Sequence, residues 1–219
     1  MPRFALLFDL DGTLIDSDSL HHGAFSKVMA EIGAGPLSMA DYRASIMGRP
    51  NVDIARTWFP DDPRAAALID RKEALFRDSL AASVSPLAGL TEVLDWAEAE
   101  GAGIAVVTNA PRPNAEAMLA AAGLAQRLTE IVIGDECERA KPDPLPYREA
   151  MRRLGVTPSQ SLAFEDSPAG LRAARDSGAH VFGLATGLAP AALLQAGAHQ
   201  AIADYTDAAL WEALRARAA

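Results

Sequence analysis

Two carboxylates one residue apart, Asp9 and Asp11, close the apolar run Phe4-Ala-Leu-Leu-Phe8. Like charges held that close are costly unless a cation or a shared proton compensates them. The segment Asp9-Leu-Asp-Gly-Thr-Leu14 therefore points to metal binding or acid/base work, against the plainer reading of a solvated acidic turn with Thr13 opening a helix. Gly12 lets the backbone turn tightly at this point. Three further places carry groups of matching chemistry: Thr108-Asn109, Lys141 within Ala140-Lys-Pro-Asp143, and Glu165-Asp166. Each has an ordinary explanation when taken alone. Thr108-Asn109 can cap the following helix, and Lys141 can be a solvated lysine stiffened by Pro142. Glu165-Asp166-Ser-Pro can open a helix, with Pro168 in its first turn and the acids at the positive end of the dipole. Their joint placement in loops after successive apolar runs argues for one shared site.

Strands must deliver these groups. Ile104-Ala-Val-Val107, Ile131-Val-Ile133, Ser161-Leu-Ala-Phe164 and His180-Val-Phe-Gly-Leu184 are short apolar runs ending in turn residues, like the run before Asp9. Between them, apolar residues recur at helical spacing: Leu90, Val93, Leu94 and Ala97; Ala117, Met118 and Ala121; Met151 and Leu154; Leu171 and Ala174. Alternating strand and helix predicts an α/β fold, a doubly wound parallel sheet with helices on both faces. Ligands of such sheets gather at the carboxyl ends of the strands. The rhythm breaks after Asp11, where no strand-like run occurs before Ile104. Phe25, Val28, Met29 and Ile32 form one helical stripe; Leu68, Ile69, Lys72, Leu75, Phe76 and Leu80 form another. Two amphipathic helices around a middle bearing Gly and Pro predict an inserted helical bundle, because some crossover helices alone would need far less chain. The expected division is a core domain of residues 1–16 and 85–219 and an inserted domain of residues 17–84. Its connections, Ile15 to Ser19 and Ala82 to Leu87, form the expected hinge.

Composition narrows the partners. The chain has 219 residues, 50% of them hydrophobic and 22% charged, enough to bury a full core. A net charge of −9 argues against a nucleic-acid or anionic-membrane surface, since phosphate backbones demand clustered Lys and Arg. Any phosphate ligand must then be met by a local cation. Cys137 is the single cysteine, so no disulfide forms within the chain. Asp9 interrupts any apolar leader, and no run reaches the length of a membrane span, so a cytoplasmic location is expected.

The ordered set Asp9-Leu-Asp-Gly-Thr-Leu14, Thr108-Asn109, Lys141-Pro-Asp-Pro144 and Glu165-Asp-Ser-Pro-Ala-Gly170 resembles the four motifs of the haloacid dehalogenase superfamily of phosphotransferases. The resemblance covers essentially the whole chain and is strongest to the branch with a helical cap after the first strand. Within it, the chain looks most like beta-phosphoglucomutase and the sugar-phosphate or phosphoglycolate phosphatases. The resemblance implies a Mg²⁺ cofactor held by Asp9, the backbone carbonyl of Asp11, Asp166 and waters, with Glu165 a direct or water-mediated ligand. It makes Asp9 the nucleophile that forms an aspartyl phosphate and Asp11 the general acid and base. Thr108 and Lys141 hold the transferring oxygens, and Asn109 helps shape the same loop. These assignments are physically consistent, because a dianionic ester admits a carboxylate only after its oxygens are neutralised.

Substrate choice is expected in the cap. His21, His22 and the turn Gly48-Arg49-Pro-Asn51 are the candidates, with Arg49 suited to grip an anionic group. Against this, His21 and His22 can simply occupy a polar helix face and Arg49 a surface pair. The expected activity is Mg²⁺-dependent hydrolysis of a small phosphate monoester, by a monomer or weak homodimer. A phosphosugar mutase is the nearest alternative, but Met47 and Asn51 supply no charge where such a mutase would hold a second phosphate. A true dehalogenase would not need Asp11, and phosphonate cleavage would need Lys27 or Lys72 as a Schiff base. An Asp-phosphorylated signalling module would be shorter and uncapped.

Overall fold

In the computed structural model, which describes residues 2–80 and 84–218, a six-stranded parallel sheet runs in the order β3-β2-β1-β4-β5-β6. The strands are β1 (Ala5–Phe8), β2 (Gly103–Thr108), β3 (Ile131–Ile133), β4 (Ser161–Glu165), β5 (His180–Leu184) and β6 (Gln200–Ile202). Four helices lie between β1 and β2 and precede the crossover helix α5 (Leu90–Ala99): α1 (Asp18–Glu31), α2 (Met39–Ser45), α3 (Asn51–Trp58) and α4 (Ala65–Ser79). After β2 follow α6 (Arg112–Ala121), α7 (Leu145–Leu154), α8 (Pro168–Ser177), α9 (Pro190–Ala196) and α10 (Ala208–Ala218). The five expected strands are present within a residue at each end. Edge strand β6 was not anticipated, since Gln-Ala-Ile offers neither alternation nor a β-branched run.

The chain steps outward from β1 through β2 to β3, then crosses back to place β4 on the other side of β1. The carboxyl end of β1 is thus the point where winding reverses, and a crevice opens there. β1 is buried on both faces, as its unbroken apolar run requires. Leu6 and Phe8 join Val93, Met118 and Phe164 on one side; Ala5 and Leu7 join Tyr147, Met151 and Val181 on the other.

Helices α1 to α4 bury a cluster of their own that includes Phe25, Val28, Tyr42, Ile54, Phe59 and Ile69. Ala24, Phe76 and Leu80 instead face the sheet-side core and tie the insert to it. In the middle bearing Gly and Pro, two short helices form. Ser38 caps α2 by accepting from the Asp41 N–H at 3.0 Å, and Pro50 immediately precedes α3. The connections of the insert are joined: Ile15 bridges Pro86 in antiparallel fashion, and Leu87 N–H donates to Leu14 C=O at 2.9 Å. Ala82 and Ser83 of the expected second connection lie outside the described residues. Among the described residues, no helix is long and apolar enough to cross a membrane.

Candidate active site

Register places the acids. Phe8 pairs with Phe164 and Phe164 with Phe182, and their rings stack at 4.7 Å and 5.5 Å. The next residue on β1 is Asp9 and the next on β4 is Glu165, so both carboxylates emerge side by side above an aromatic layer. Asp9 N–H donates to Phe164 C=O at 2.9 Å, which extends the ladder one residue further. One carboxylate oxygen from each of Asp9, Glu165 and Asp166 falls within 4.8 Å of the others, all three residues being buried. Two glycines make this crowding possible. A Cβ on Gly12 would collide with the Asp166 carboxylate and one on Gly170 with that of Glu165; Gly12 also has a φ of +71°. The helix-start reading of Glu165-Asp166-Ser-Pro also holds, for Ser167 caps α8, accepting from Gly170 N–H at 3.1 Å.

Lys141 is no solvated loop lysine. Its side chain is 2% exposed, and Nζ donates at 2.6 Å to each of Asp9 Oδ1, Glu165 Oε1 and the Val107 carbonyl. Tyr147 OH donates to the same Glu165 oxygen at 2.8 Å. Burial, then the Glu165 charge, pushes the Asp9 carboxyl up to about 8 despite the Lys141 ammonium. Burial and the neighbouring Asp9 and Glu165 carboxylates likewise hold Asp166 well above the usual range. For Lys141, burial disfavours the charge, but the Asp9 and Glu165 carboxylates outweigh it and raise its pKa. Three carboxylates against one ammonium leave surplus negative charge in a water-poor place, which bound protons or a divalent cation can relieve. An all-oxygen donor set of this kind fits Mg²⁺ rather than a thiolate- or imidazole-seeking metal.

Asp11 faces elsewhere. Its Oδ1 accepts from Ser17 Oγ at 2.6 Å and from His21 Nε2 at 2.8 Å. His21 Nδ1 lies 2.9 Å from Lys72 Nζ, and an ammonium can only donate, so the ring carries its hydrogen on Nε2. Stacked on Phe76 with ring centroids 3.7 Å apart, His21 is buried rather than on a polar helix face. Burial pushes the Asp11 pKa up, but His21, Ser17 and Lys72 together bring it below the usual value. Thr108, also buried, accepts from Ala110 N–H at 2.9 Å and keeps its own hydroxyl hydrogen for the cavity it lines. The Asn109 side chain is committed to scaffolding. Its Nδ2 donates to the Lys141 carbonyl at 3.1 Å and to the Gly48 carbonyl of the insert at 3.2 Å, while Oδ1 accepts from Lys141 N–H at 3.1 Å.

A family signature described as haloacid dehalogenase-like hydrolase matches residues 6–184. The chain belongs to that family. The CbbY protein of Rhodobacter capsulatus is 35% identical over 188 residues, which span 81% of this chain and 83% of its own. The phosphoglycolate phosphatase of Rhodospirillum rubrum is 30% identical over 220 residues, 96% of this chain and 91% of its own. A crystal structure of a CbbY variant from Rhodobacter sphaeroides with xylulose-(1,5)bisphosphate superposes with a TM-score of 0.83 at 28% identity, covering 94% of this chain and 96% of that one. This haloacid dehalogenase-like hydrolase is thus an enzyme of the phosphoglycolate phosphatase and beta-phosphoglucomutase branch, a hydrolase of phosphoric monoesters.

In this hydrolase the four sequence motifs converge on one cavity of about 60 Å³, with Asp9, Asp11, Thr108, Lys141 and Asp166 toward the sheet. Glu165 is fully buried behind them. On the insert side, His21, Gly48 and Arg49 border the same cavity. Arg49 is exposed there and donates to the Ala44 carbonyl at 3.1 Å. Gly48, at φ +69°, packs so close to Ser167 that a Cβ would strike its side chain. His22 is not part of the site; its Nε2 donates to the Leu37 carbonyl at 2.9 Å. Sequence reasoning missed Ser17, Tyr42, Glu73 and Tyr147. Lys72 entered it as a member of an otherwise apolar stripe and as a Schiff-base alternative; a lysine within that stripe is the signal that could have found it.

Proposed function

We propose that the enzyme is a Mg²⁺-dependent phosphatase acting on a small phosphate monoester, of the sugar phosphate or phosphoglycolate kind, through an aspartyl phosphate on Asp9. The observation that carries this reading is the divergence of the two N-terminal acids: Asp9 lies with Glu165 and Lys141, Asp11 with Ser17 and His21. A nucleophile and an acid/base need such different surroundings. Asp9, Glu165 and Asp166, with the Asp11 backbone carbonyl, would hold Mg²⁺, which when bound neutralises phosphate oxygens. The free oxygen of Asp9 attacks phosphorus and the ester P–O bond breaks. Asp11 gives its proton to the departing alkoxide; the approach of a dianionic ester raises its affinity for that proton. Ionised again, Asp11 takes a proton from water, which attacks phosphorus and frees Asp9 and inorganic phosphate. Lys141 and the Thr108 hydroxyl orient the transferring oxygens and offset their charge.

The helical insert of residues 17–84 acts in this reading as a cap on the core of residues 1–16 and 85–219, with Asn109–Gly48 holding it closed. A mutase would need cations there for a second phosphate, yet Met47 is buried against Gly187 and Asn51 is neutral. The acidic chain and lone cysteine favour a cytoplasmic enzyme, monomeric or weakly dimeric, with no nucleic-acid or membrane partner. Phosphate release from phosphoglycolate, fructose 1-phosphate and polyol phosphates tests the reading. Turnover of at least one of these esters is expected with Mg²⁺, lost on chelation and restored on readdition. Asp9→Asn is expected to lose at least about 10³-fold in kcat while folding normally. Undiminished release by a folded Asp9→Asn variant would overturn the covalent route.

A further inference from the structure

We propose that Glu73 makes the roof of the cavity reject a second anionic group, so that the substrate's distal end is uncharged and hydroxyl-bearing. This deepens the phosphatase reading, rests on it and narrows its substrates to the sugar- and polyol-phosphate kind, because the carboxylate of phosphoglycolate would count as a second anionic group. Besides His21 and Tyr42, the ionisable side chains with which the insert borders the cavity are Asp18, Arg49, Lys72 and Glu73. Lys72 is the buried cation among them, and it is already paired. Nζ lies 3.1 Å from both Glu73 oxygens and 2.9 Å from His21 Nδ1, so its hydrogen bonds go to these two residues. Arg49 is exposed and turned to the Ala44 carbonyl. Asp18 accepts from Tyr42 OH at 2.9 Å.

Glu73 itself is anchored from the opposite side. Asn114 Nδ2 on α6 donates to Glu73 Oε2 at 2.6 Å, and Arg77 holds Asn114 Oδ1 at 2.7 Å. The carboxylate thus cannot swing away to free Lys72 without breaking a contact between insert and core. Burial would raise the Glu73 pKa, but Lys72, His21 and Asn51 outweigh it and keep the group ionised. A second phosphate or carboxylate entering here would meet Glu73 and Asp18 in a shielded space, where charge repulsion is strong. Hydroxyl groups would instead find acceptors in the two carboxylates and partners in Asn51 and Tyr42.

The test compares kcat/KM for fructose 1-phosphate and fructose 1,6-bisphosphate, which differ by one distal phosphate, using full-length protein with Mg²⁺. Wild type is expected to prefer the monophosphate at least about tenfold, and Glu73→Gln, which frees Lys72, to narrow that ratio about tenfold. Asn114→Ala removes the anchor but keeps the charge, so its ratio is expected to move less than that of Glu73→Gln. Equal wild-type values for the two esters would overturn the proposal, as would Glu73→Gln lowering both esters in step, the signature of a merely structural role. A ratio shift in Asn114→Ala as large as that in Glu73→Gln would also overturn it. Hydrolysis of neither ester, nor of any other monoester, would instead bring down the phosphatase reading itself.

Discussion

At the floor of the cavity Asp9 and Glu165 are placed by the sheet, whereas at the roof Lys72 and Glu73 are placed by helix packing. Asp9 and Glu165 occupy neighbouring positions of two parallel strands whose Phe8 and Phe164 are stacked directly below. Lys141 binds both acids and a strand carbonyl at once. Lys72 and Glu73 owe their places to α4 lying against α1 and α6, through His21, Phe76 and Asn114. In the proposed reading the floor carries the chemistry and the roof the selection of the ester. Asp9 and Glu165 are set by backbone register, with Gly12 and Gly170 leaving room for the acids; Lys72 and Glu73 depend on which side chains meet.

The comparison can be broken most forcefully from below. Phe164→Ala removes the ring between Phe8 and Phe182 and is expected to cost about 3–5 kcal/mol, lowering Tm by about 10 °C. Thermal unfolding followed by circular dichroism checks this, and a loss under about 1 kcal/mol would show that the floor does not depend on its aromatic layer.

A smaller effect should come from the charge stored on that floor. In metal-free protein, Asp9 is pushed from 3.8 up to about 8, so between these values the folded chain keeps a proton that the unfolded chain has released. Stability of the metal-free protein is thus expected to fall as pH rises through that window. Binding Mg²⁺ requires ionised carboxylates, so the Tm gain on adding it should be several degrees larger at about pH 8 than at about pH 5.5. Calorimetry with chelator and with Mg²⁺ at both pH values decides; an equal gain would remove the surplus-charge account of the site.

The smallest effect is expected at the exposed rim of the roof. Arg49→Ala should change kcat/KM for a neutral-tailed monoester by no more than about threefold, because its guanidinium is solvated and turned to a backbone carbonyl. A loss beyond about thirtyfold in steady-state kinetics would make Arg49 a direct anion grip and draw the roof closer to the floor in importance.

Legibility in the sequence divided along the same line. The strands under the site were readable because a parallel strand buried on both faces must be an unbroken apolar run, as Ala5–Phe8 and Ser161–Phe164 are. The acids that end them were readable because their cost demands a reason. Tyr147 was not readable, since one tyrosine on an amphipathic helix looks like core until its hydroxyl is found on Glu165. Nor was the His21–Lys72 contact, which joins residues 51 positions apart on two helices. The short helices α2 and α3 lacked the length for a clear period, and β6 lacked any period at all.

The antiparallel bridge from Ile15 to Pro86 turns the whole α1–α4 segment into a loop whose ends are stapled to each other. For a closed loop, doubling the enclosed chain adds only about 0.6 kcal/mol of closure entropy. A lineage carrying this staple is free to lengthen, shorten or exchange what hangs from it while the reactive acids stay in register. New substrates can then be acquired by grafting a different roof, with the hydrolytic machinery inherited intact.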